Sequence, residues 1–410
     1  MKETKSQPIS KLMVWKAYKK VKANKGSAGI DNVSIEEFEA DLKSNLYKLW
    51  NRLASGSYYP PSVKEVKIPK PQGGERKLGI PTVADRIAQM VVKEHLEAIV
   101  EPVFDRSSYG YRPKKSAHEA VEACKRNCHE NFWVIDLDIK GFFDNINHEL
   151  MMKAVTKHTQ EKWVLMYVER WLNAGIVTRE GFLSRDKGTP QGGVVSPLLA
   201  NLYLHYAFDK WLRINHPTVS FERYADDIVI HCKTRGQAEN LLRQVKERLA
   251  DCSLEVHPVK TKIVYCKRVG RAENYDIVSF DFLGFTFKPR RTQSKEGKIF
   301  TGFNPGVSSK AVQRMNSEIK RMWGRLNTMH KVEEIAETLN PKIRGWLNYY
   351  GKFRLSDLQQ IWVLLNFRLI IWVRKKYKRL NRSNKQAADW LRRIQSQNPN
   401  LFVHWKYVTP

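Results

Sequence analysis

The chain has 410 residues, 42% of them apolar and 11% aromatic, which is enough for a buried core in two or three domains and excludes a largely disordered protein. A formal net charge of +29 exceeds what solubility requires, because such self-repulsion opposes compaction, and it predicts a polyanionic partner, most simply nucleic acid. Residues 288–410 carry 26 Lys and Arg against 7 Asp and Glu, so this last part is expected to contact phosphates.

Cysteine usage and targeting signals indicate an intracellular setting. Five cysteines, an odd number without a paired C-x2-C motif, are typical of a reducing compartment. Cys124, Cys128 and His129 lie close together, but their spacing is that of one helix face, which we favour over a zinc site. The first residues lack an apolar signal segment, and no apolar run reaches the ~18–20 residues of a membrane span.

The first predicted elements are helices and a hairpin. Residues 1–60 predict helices that the turn-rich segment GSAGIDNV interrupts. Residues 62–82 alternate Val or Ile with Lys around Gly73 and Gly74, which predicts a β-hairpin with a basic rim. A long helix is expected over about 83–103.

The middle of the chain mixes strands with helices. FWVIDLDIKGFF predicts an apolar strand that ends in acids, followed by a helix, and KGTPQGGVVSPLLANLYL predicts a Gly/Pro loop before another helix. SFERYADDIVIHCK predicts two strands joined by a turn, GQAENLLRQVKERLADC a helix, and FDFLGFTFKP a further strand pair. After about residue 305 the pattern is helical to the end. The fold class is therefore α+β, with a basic helical part last.

Two segments place carboxylates at strand ends, namely Asp136 and Asp138 in VIDLDIKGFF, and Asp226 and Asp227 in YADD. Residues 136 and 138 share one face of a strand. Acids from neighbouring strands would repel one another, and hard cations such as Mg²⁺ relieve that repulsion through oxygen ligands. Two such ions ~3.5–4 Å apart support phosphoryl transfer. The alternative is a solvated acidic turn, which is common for Asp-Asp.

Seven segments in the same order resemble one family. RYADDIVI after DLDIKGFFDNINH and GTPQGGVVSPLLANLYL, with HPVKTKIVYC and FDFLGFTF following, resembles the reverse transcriptases encoded by group II introns. GSAGIDNVSIEEF resembles the N-terminal extension of that family, and LNPKIRGWLNYYGKF resembles its maturase-specific region. The resemblance covers roughly residues 20–375.

The resemblance implies a right-hand polymerase with four parts. These are a helical N-terminal extension (1–60), fingers and palm with an antiparallel sheet and helices (61–290), an all-helical thumb or maturase domain (305–375), and a short basic nucleic-acid-binding tail (376–410).

The resemblance also implies the residues of a polymerase site. The metal ligands would be Asp138, Asp226 and Asp227, holding two Mg²⁺ with Mn²⁺ as a substitute, whereas Asp136 and Asp144 match no ligand position. The dNTP would be contacted by Lys70, Arg76, Phe143, Gln191 and Lys260.

Several of these assignments have rivals. Phe143 would clash with a 2′-OH, or would be one more core Phe beside Phe142. Arg86 and Lys77 are weaker candidates for the triphosphate than Lys70 and Arg76, and Lys262 is the rival of Lys260 as general acid. Gly192 and Gly193 would let backbone approach the templating base.

Nucleic-acid contacts are implied for Tyr224 at the primer end and, in the basic helical part, for Arg344, Arg374, Lys375 and Lys376. Trp346, Tyr349 and Tyr350 suit stacking on nucleic acid, although their helical spacing favours core packing for at least two of them. FLGF resembles the family's primer grip.

The implied function is an RNA-directed DNA polymerase that also binds its intron RNA and assists splicing and mobility. Its partners would be an RNA template, a DNA primer or target, and dNTPs, with no membrane, as a monomer or homodimer at the nucleoid of the bacterial cytoplasm. The chain lacks the Cys and His pairs of the endonuclease found in longer relatives, so we expect no cleavage of a target strand. The alternatives are a splicing-only maturase, a domesticated relative in DNA repair or phage defence, and an RNA-dependent RNA polymerase, which Phe143 disfavours.

Overall fold

The computed structural model describes residues 7–69, 74–271, 273–293 and 296–410. Contacts divide the chain into two compact units, Met1–Asn127 with Asn131–Ile263, and Cys128–Glu130 with Val264–Pro410. In the described ranges no helix is long and apolar enough to cross a membrane.

Polar caps in the sequence start several helices of the first unit. Ser10 accepts a hydrogen bond from the Met13 N–H, and Ser34 forms a reciprocal capping box with Glu37. The helices are α1 Lys11–Ala23, α2 Ile35–Ala40, α3 Leu42–Ala54, α4 Val83–Val100, α5 Ala117–Glu130, α6 Phe142–Asn145, α7 His148–Thr156, α8 Lys162–Leu172, α9 Ser196–Leu204, α10 Lys210–Asn215 and α11 Arg235–Asp251. A π-helical turn, His205–Asp209, joins α9 to α10.

The strands of the first unit form two sheets. They are β1 Val63–Pro69, β2 Glu75–Ile80, β3 Trp133–Asp138, β4 Ile176–Thr178, β5 Gly181–Leu183, β6 Ser220–Tyr224 and β7 Asp227–Cys232. One sheet has the order β2-β1-β4-β5, with β1 and β2 antiparallel and β1 and β4 parallel. In the other sheet β7 lies between β6 and β3 and is antiparallel to both. β3 and β7 are mostly buried, but Asp138 and Asp227 at one end are partly exposed, so this end is open to a substrate.

The second unit contains a sheet followed by helices. After β8 Lys262–Tyr265, where one unit gives way to the other along the chain, the strands β9 Phe280–Phe282, β10 Phe285–Gln293 and β11 Ile299–Val307 form an antiparallel sheet in the order β11-β10-β9. The helices are α12 Ser309–Trp323, α13 Val332–Arg354, α14 Gln359–Lys376 and α15 Asn384–Gln397. Residues 376–410 are packed into this helical core through Leu391, Phe402 and Trp405.

The predicted α+β class is confirmed, with antiparallel pairs and helices in the first unit and helices dominating the second. The hairpin of β1 and β2, the strands of YADD and the helix near 83–103 are found as expected. The expectation of helices only after about residue 305 is wrong at its start, because β11 extends to Val307 and the first helix begins at Ser309. β4, β5, β8 and β11 were not predicted. The division at residues 60, 290, 305 and 375 stays a prediction.

Candidate active site

Three carboxylates lie at the open end of the β6-β7-β3 sheet. Asp138, the last residue of β3, is the cross-strand partner of Asp227, the first residue of β7. Tyr224, at the end of β6, is the partner of Asp227 on the other side. Such partners have Cβ atoms ~4.5–5.5 Å apart. Asp226 lies in the two-residue turn that precedes β7, so strand pairing brings together acids that are far apart in sequence.

A buried network holds the turn that carries Asp226. Ala225 has a left-handed φ of +58°, which is unfavourable for a residue with a Cβ. The fully buried Arg223 donates to the Ala225 carbonyl at 3.1 Å and to the two carboxylate oxygens of Asp209 at 2.7 and 2.6 Å. It also donates to Asn201 Oδ1 at 2.8 Å. Burial raises the pKa of the Asp209 carboxyl and the Arg223 guanidinium opposes that rise. The strained turn is therefore fixed from its core side.

The surroundings of Asp226 disfavour its negative charge. Its pKa is raised first by burial and then by the charge of Asp138, while its own backbone, Arg76 and Arg223 oppose the rise. A cation between the carboxylates would offset both causes. Because the three candidate side chains all offer carboxylate oxygens, the donor set suits Mg²⁺ or Mn²⁺ better than a soft ion. These residues fit the expected divalent ions.

A loop tied to Asp138 brings Lys260 to the carboxylates. The Asp138 carbonyl accepts a hydrogen bond from the His257 N–H at 2.8 Å, and the Asp138 N–H donates to Thr261 Oγ1 at 3.2 Å. Lys260 Nζ lies 3.5 Å from Asp138 Oδ2. The rival Lys262 begins β8 with an exposed side chain. The structure thus brings Lys260 to the site.

Arg76 and Lys77 lie on opposite faces of β2. Lys77 pairs with Glu65 at 3.8 Å. Arg76 is exposed, and its charge acts on both Asp226 and Tyr111. Arg76 is therefore the cation of this strand whose charge acts at the carboxylates, and its contact with phosphates stays a prediction.

A structural role accounts for Arg86, the weaker candidate for the triphosphate on α4. Arg86 is only 8% exposed and donates to the Ser27 carbonyl at 2.8 Å, so it holds the segment before α2. Lys70 lies outside the described residues.

Backbone contacts fix the loop around Gln191 to β2. The Gln191 carbonyl accepts a hydrogen bond from the Gly79 N–H at 2.8 Å. Gly192 has a φ of +123°, and a Cβ at this position would lie 2.7 Å from the Gly79 carbonyl oxygen. Contact with β2 therefore explains the need for glycine at 192, and the approach of this backbone to a templating base stays a prediction.

Gln89 on α4 also holds the loop around Gln191, and the sequence did not indicate this residue. Its Oε1 accepts hydrogen bonds from the Val194 and Val195 N–H groups at 2.7 and 3.2 Å. Its Nε2 donates to Asp85 Oδ2 at 2.9 Å. The spacing of Asp85 and Gln89, four residues apart on one helix face, is the only sequence signal for this pair.

Asp85 anchors the side chain of Gln89. It is 1% exposed and also accepts hydrogen bonds from Tyr58 Oη and Trp171 Nε1, both at 2.8 Å. Burial raises its pKa to about 6, although the hydrogen bonds from Trp171, Tyr58 and Gln89 oppose the rise. Three donors around one carboxylate leave Gln89 a single amide orientation, with Oε1 toward the loop.

Phe142 and Phe143 differ in burial. Phe142 is 2% exposed and belongs to the core, whereas Phe143 is partly exposed. The Phe143 carbonyl accepts a hydrogen bond from the Thr189 N–H at 2.8 Å, which joins it to the loop of Gln191. The core role therefore falls to Phe142, and Phe143 stays a candidate for the sugar contact.

The cations predicted to bind nucleic acid in the second unit have different surroundings. Arg344 and Lys375 are exposed. Arg374 donates to the Asn381 carbonyl at 2.8 Å and to Asn384 Oδ1 at 2.7 Å. Lys376 donates to the carbonyls of two residues in the turn before α13, Thr328 and His330. Arg374 and Lys376 thus hold turns of the helical core, which leaves Arg344 and Lys375 as the cations directed to solvent.

Tyr349 and Tyr350 support the β9-β10 turn. Leu283 and Gly284 in this turn have positive φ angles, and Tyr349 Oη donates to the Leu283 carbonyl at 2.9 Å. Tyr350 contacts Gly284 and packs against the helical core together with Trp346. These aromatic residues therefore have structural roles within the second unit.

A different group of donor atoms, Cys124, Glu222 and His231, lies within 4.8 Å of one another and is buried. His231 Nε2 is 2.6 Å from Glu222 Oε2, and Asn127 donates to Glu222 Oε1. These contacts engage both oxygens of the Glu222 carboxylate, so hydrogen bonding explains the group without a metal ion. Cys124 lies on α5, the helix that its spacing predicted.

Comparison with known proteins gives matches along most of the chain. The family model described as reverse transcriptase (RNA-dependent DNA polymerase) matches residues 68–287, and that described as group II intron, maturase-specific domain matches residues 312–390. The group II intron-encoded protein LtrA of Lactococcus lactis is 36% identical over 88% of this chain and 72% of its own length. Protein YkfC of Escherichia coli is 34% identical over 66% of this chain and 78% of its own length. Among solved structures, telomerase from Candida albicans matches with a TM-score of 0.48 and 12% identity, over 90% of this chain and 67% of that chain.

Proposed function

The chain belongs to the group II intron-encoded reverse transcriptases and is an RNA-directed DNA polymerase, and on this premise we propose that it makes cDNA by two-metal nucleotidyl transfer at Asp138, Asp226 and Asp227. The observation that carries the proposal is the cross-strand pairing of Asp138 with Asp227 beside the Asp226 turn.

Asp138 and Asp226 would provide most of the ligands for two Mg²⁺, and Asp227 would support them. When bound, the ions supply positive charge that activates the primer 3′-OH and stabilises the departing pyrophosphate. The chain's own contribution is to hold the carboxylates in place, through strand pairing for Asp138 and Asp227 and through Arg223 for the turn of Asp226. Mn²⁺ would replace Mg²⁺ because both prefer oxygen ligands.

The remaining residues would bind and orient the nucleotide. Arg76 would contact the triphosphate as a fork donor, with Lys70 as a second cation. Lys260, next to Asp138, would give a proton to the leaving pyrophosphate. Gln191 would contact the nucleotide and Phe143 would exclude a 2′-OH.

We further propose that the chain binds group II intron RNA and assists its splicing and mobility. The match of residues 312–390 to the maturase-specific domain supports this, together with the exposed Arg344 and Lys375 in that part of the chain. Tyr224 would pack against the primer end of a DNA strand. The charge of +29 favours action at the nucleoid, in the cytoplasm of a bacterial cell.

Primer extension tests the polymerase proposal. A DNA primer on an RNA template is incubated with dNTPs and Mg²⁺, using the wild type, Asp226→Ala/Asp227→Ala, and Asp144→Ala as an exposed acid that is not a ligand. We expect extension by the wild type and Asp144→Ala and none by the double variant. Extension by the double variant at the wild-type rate contradicts the site.

Splicing of the transcript that flanks the gene tests the maturase proposal. We expect the protein to lower the Mg²⁺ concentration at which that transcript splices, and Arg344→Ala/Lys375→Ala to weaken the effect. A splicing reaction that the protein does not change, with primer extension intact, would leave a polymerase without a maturase role.

A further inference from the structure

A polar cavity of about 280 Å³ opens in the first unit, and none of the steps above uses the residues that line it. Three arginines, Arg106, Arg126 and Arg213, share its wall with Tyr109 and Glu222. The segment after α4, the helix α5, the helix α10 and the strand β6 each contribute to the wall. Its volume lies just below the range of roughly 300–1,000 Å³ for sites that hold a whole small ligand, so it suits one small group of a larger molecule.

Backbone hydrogen bonds make one wall of the cavity rigid. The Arg223 N–H on β6 donates to the Ser107 carbonyl at 2.9 Å, and the Tyr109 N–H donates to the Arg223 carbonyl at 2.8 Å. Ser108 thereby extends the sheet along β6. Because the same Arg223 fixes the Asp226 turn, the cavity wall and the catalytic end are built on one strand.

Two of the three arginines in the cavity wall have no carboxylate partner among the described residues. Arg213 is paired with Asp105 at 2.7 Å. Glu222 lies 2.6 Å from His231 Nε2 and accepts a hydrogen bond from Asn127, which also lines the cavity. Among the residues that the structure describes, Arg106 and Arg126 form no ion pair with a carboxylate, and both are exposed. A group that enters the cavity therefore meets an excess of positive charge on planar fork donors, which suit phosphate.

The segment of the cavity wall continues to the catalytic end. Tyr111 follows Tyr109 by two residues, its ring lies 6.4 Å from that of Tyr224, and the charge of Asp226 acts on it. Tyr111 lies five positions after Arg106, a reach of at most roughly 17 Å of extended chain. Arginines and tyrosines thus lie along the short segment that joins the cavity to the carboxylates, a combination that suits binding of a single strand.

We propose that this cavity binds a backbone phosphate of the single-stranded RNA template, with Arg106 and Arg126 as its contacts and Tyr109 beside them as a stacking surface. The choice of template RNA over a free anion rests on the proposed polymerase function and on the line of aromatic residues to Tyr224. A phosphate held there fixes the path of the strand a few nucleotides away from the catalytic end.

The salt dependence of RNA binding tests the proposal. Fluorescence anisotropy with a labelled single-stranded RNA is recorded over a series of salt concentrations, without dNTPs. Each lost phosphate contact reduces the slope of log K against log salt by ~0.7 for a single strand. We therefore expect Arg106→Ala/Arg126→Ala, which leaves this one phosphate without its cations, to reduce the slope by about 0.7 and to weaken binding. Arg106→Lys/Arg126→Lys should keep the slope but bind less tightly because the fork is lost.

A matched control removes the same number of charges elsewhere. Arg235→Ala/Arg243→Ala changes two arginines on α11 that pair with Glu239 and Glu247, and it should leave the slope unchanged. Equal slopes for the wild type and Arg106→Ala/Arg126→Ala overturn the proposal. Stabilisation of the wild type but not of this variant by inorganic phosphate, with equal RNA slopes, also overturns it in favour of a free anion.

The test is independent of the polymerase activity. The slope reports phosphate contacts whether or not the chain extends a primer, so failed extension by the wild type overturns the proposed function without changing the slope result. Equal slopes together with normal extension overturn only the cavity assignment.

Discussion

Replacement of Gln89 by Leu should weaken dNTP binding without removing the chemistry. The change keeps the size of the side chain but removes the acceptor for the Val194 and Val195 N–H groups and one donor to Asp85. The two lost loop hydrogen bonds are worth about 1–3 kcal/mol together, which converts to roughly 5- to 150-fold in the stability of the ordered loop. Because the carboxylates lie on other elements, we expect KM for dNTP to rise by about tenfold with kcat largely kept.

Replacement of Gln89 by Glu gives a sharper test, because it keeps the acceptor for the loop but places a second carboxyl next to Asp85. Two carboxylates at the wild-type distance of 2.9 Å cannot both ionise and must share a proton. The variant should therefore resemble the wild type at acid pH and lose dNTP affinity as the pH rises. The Leu variant should show a KM defect that does not depend on pH.

Steady-state primer extension at varied dNTP and pH measures both variants, with Gln244→Leu as the control. Gln244 on α11 accepts a hydrogen bond from His216 and has no contact with the loop among the described residues, so its loss should leave KM unchanged. If Gln89→Leu leaves KM for dNTP at the wild-type value, or if the Glu variant lacks the pH dependence, Gln89 does not position the loop.

The wild type should itself show a pH effect on stability that comes from Asp85. The pKa of Asp85 is about 6 in the folded chain, above the ordinary 3.8, so the folded state binds the proton more tightly than the unfolded state. The free energy of unfolding should therefore fall by about 3 kcal/mol as the pH rises between these two values. Urea unfolding at each pH measures this fall, and a free energy of unfolding that does not change with pH contradicts it. Phe143→Ala should increase rNTP incorporation in primer extension. Unchanged selectivity between dNTP and rNTP would show that Phe143 does not exclude the 2′-OH. Lys260→Arg should keep the charge but lower kcat by about 10²-fold through loss of the proton donor, and a wild-type kcat would remove Lys260 from that role. Arg223→Met should destabilise the fold by about 3–5 kcal/mol because Asp209 keeps a buried charge. Urea unfolding should show that Arg223→Met/Asp209→Leu recovers most of this loss. An equal loss of stability in both variants would show that the unpaired Asp209 charge does not cause it.

The pairing of Asp138 with Asp227 could be predicted from the sequence because each of these acids lies at one end of an apolar strand. Apolar runs place strands inside a sheet, and a polar residue at the end of such a run marks where the sheet opens. The motifs DIKGFF and YADD supplied the assignment of these acids as metal ligands, through their resemblance to a family. Strand pairing of Asp138 with Asp227 needed no information beyond these two patterns.

The support of the site could not be predicted in the same way. Asp85 reads as an acid in the first turn of a helix, a position that usually interacts with the helix dipole at the surface. Its burial depends on Tyr58 and Trp171, which lie far away in sequence and reach it only in the folded chain. The role of a buried carboxylate such as Asp85 can therefore be recognised only once its hydrogen-bond donors are known.

β11 shows how pairing overrides local propensity. The segment contains Gly302, Pro305 and Gly306, which favour loops. Nevertheless, it pairs with β10 over nine residue pairs, from Phe285 with Val307 to Gln293 with Ile299. β11 lies at the edge of its sheet, where a proline is tolerated because one side of the strand needs no partner.

The charge of the chain shows the same limit, because composition counts cations but not their hydrogen bonds. Arg223, Arg374 and Lys376 each direct donors to carbonyl or carboxylate oxygens of the chain itself. Counterion release depends only on cations that contact phosphate. The salt dependence of RNA binding should therefore follow exposed cations such as Arg344 and Lys375 and fall well short of the slope that a charge of +29 suggests. Part of the basicity thus fixes the turn of Asp226 through Arg223, and the part that is exposed remains available for a polyanion.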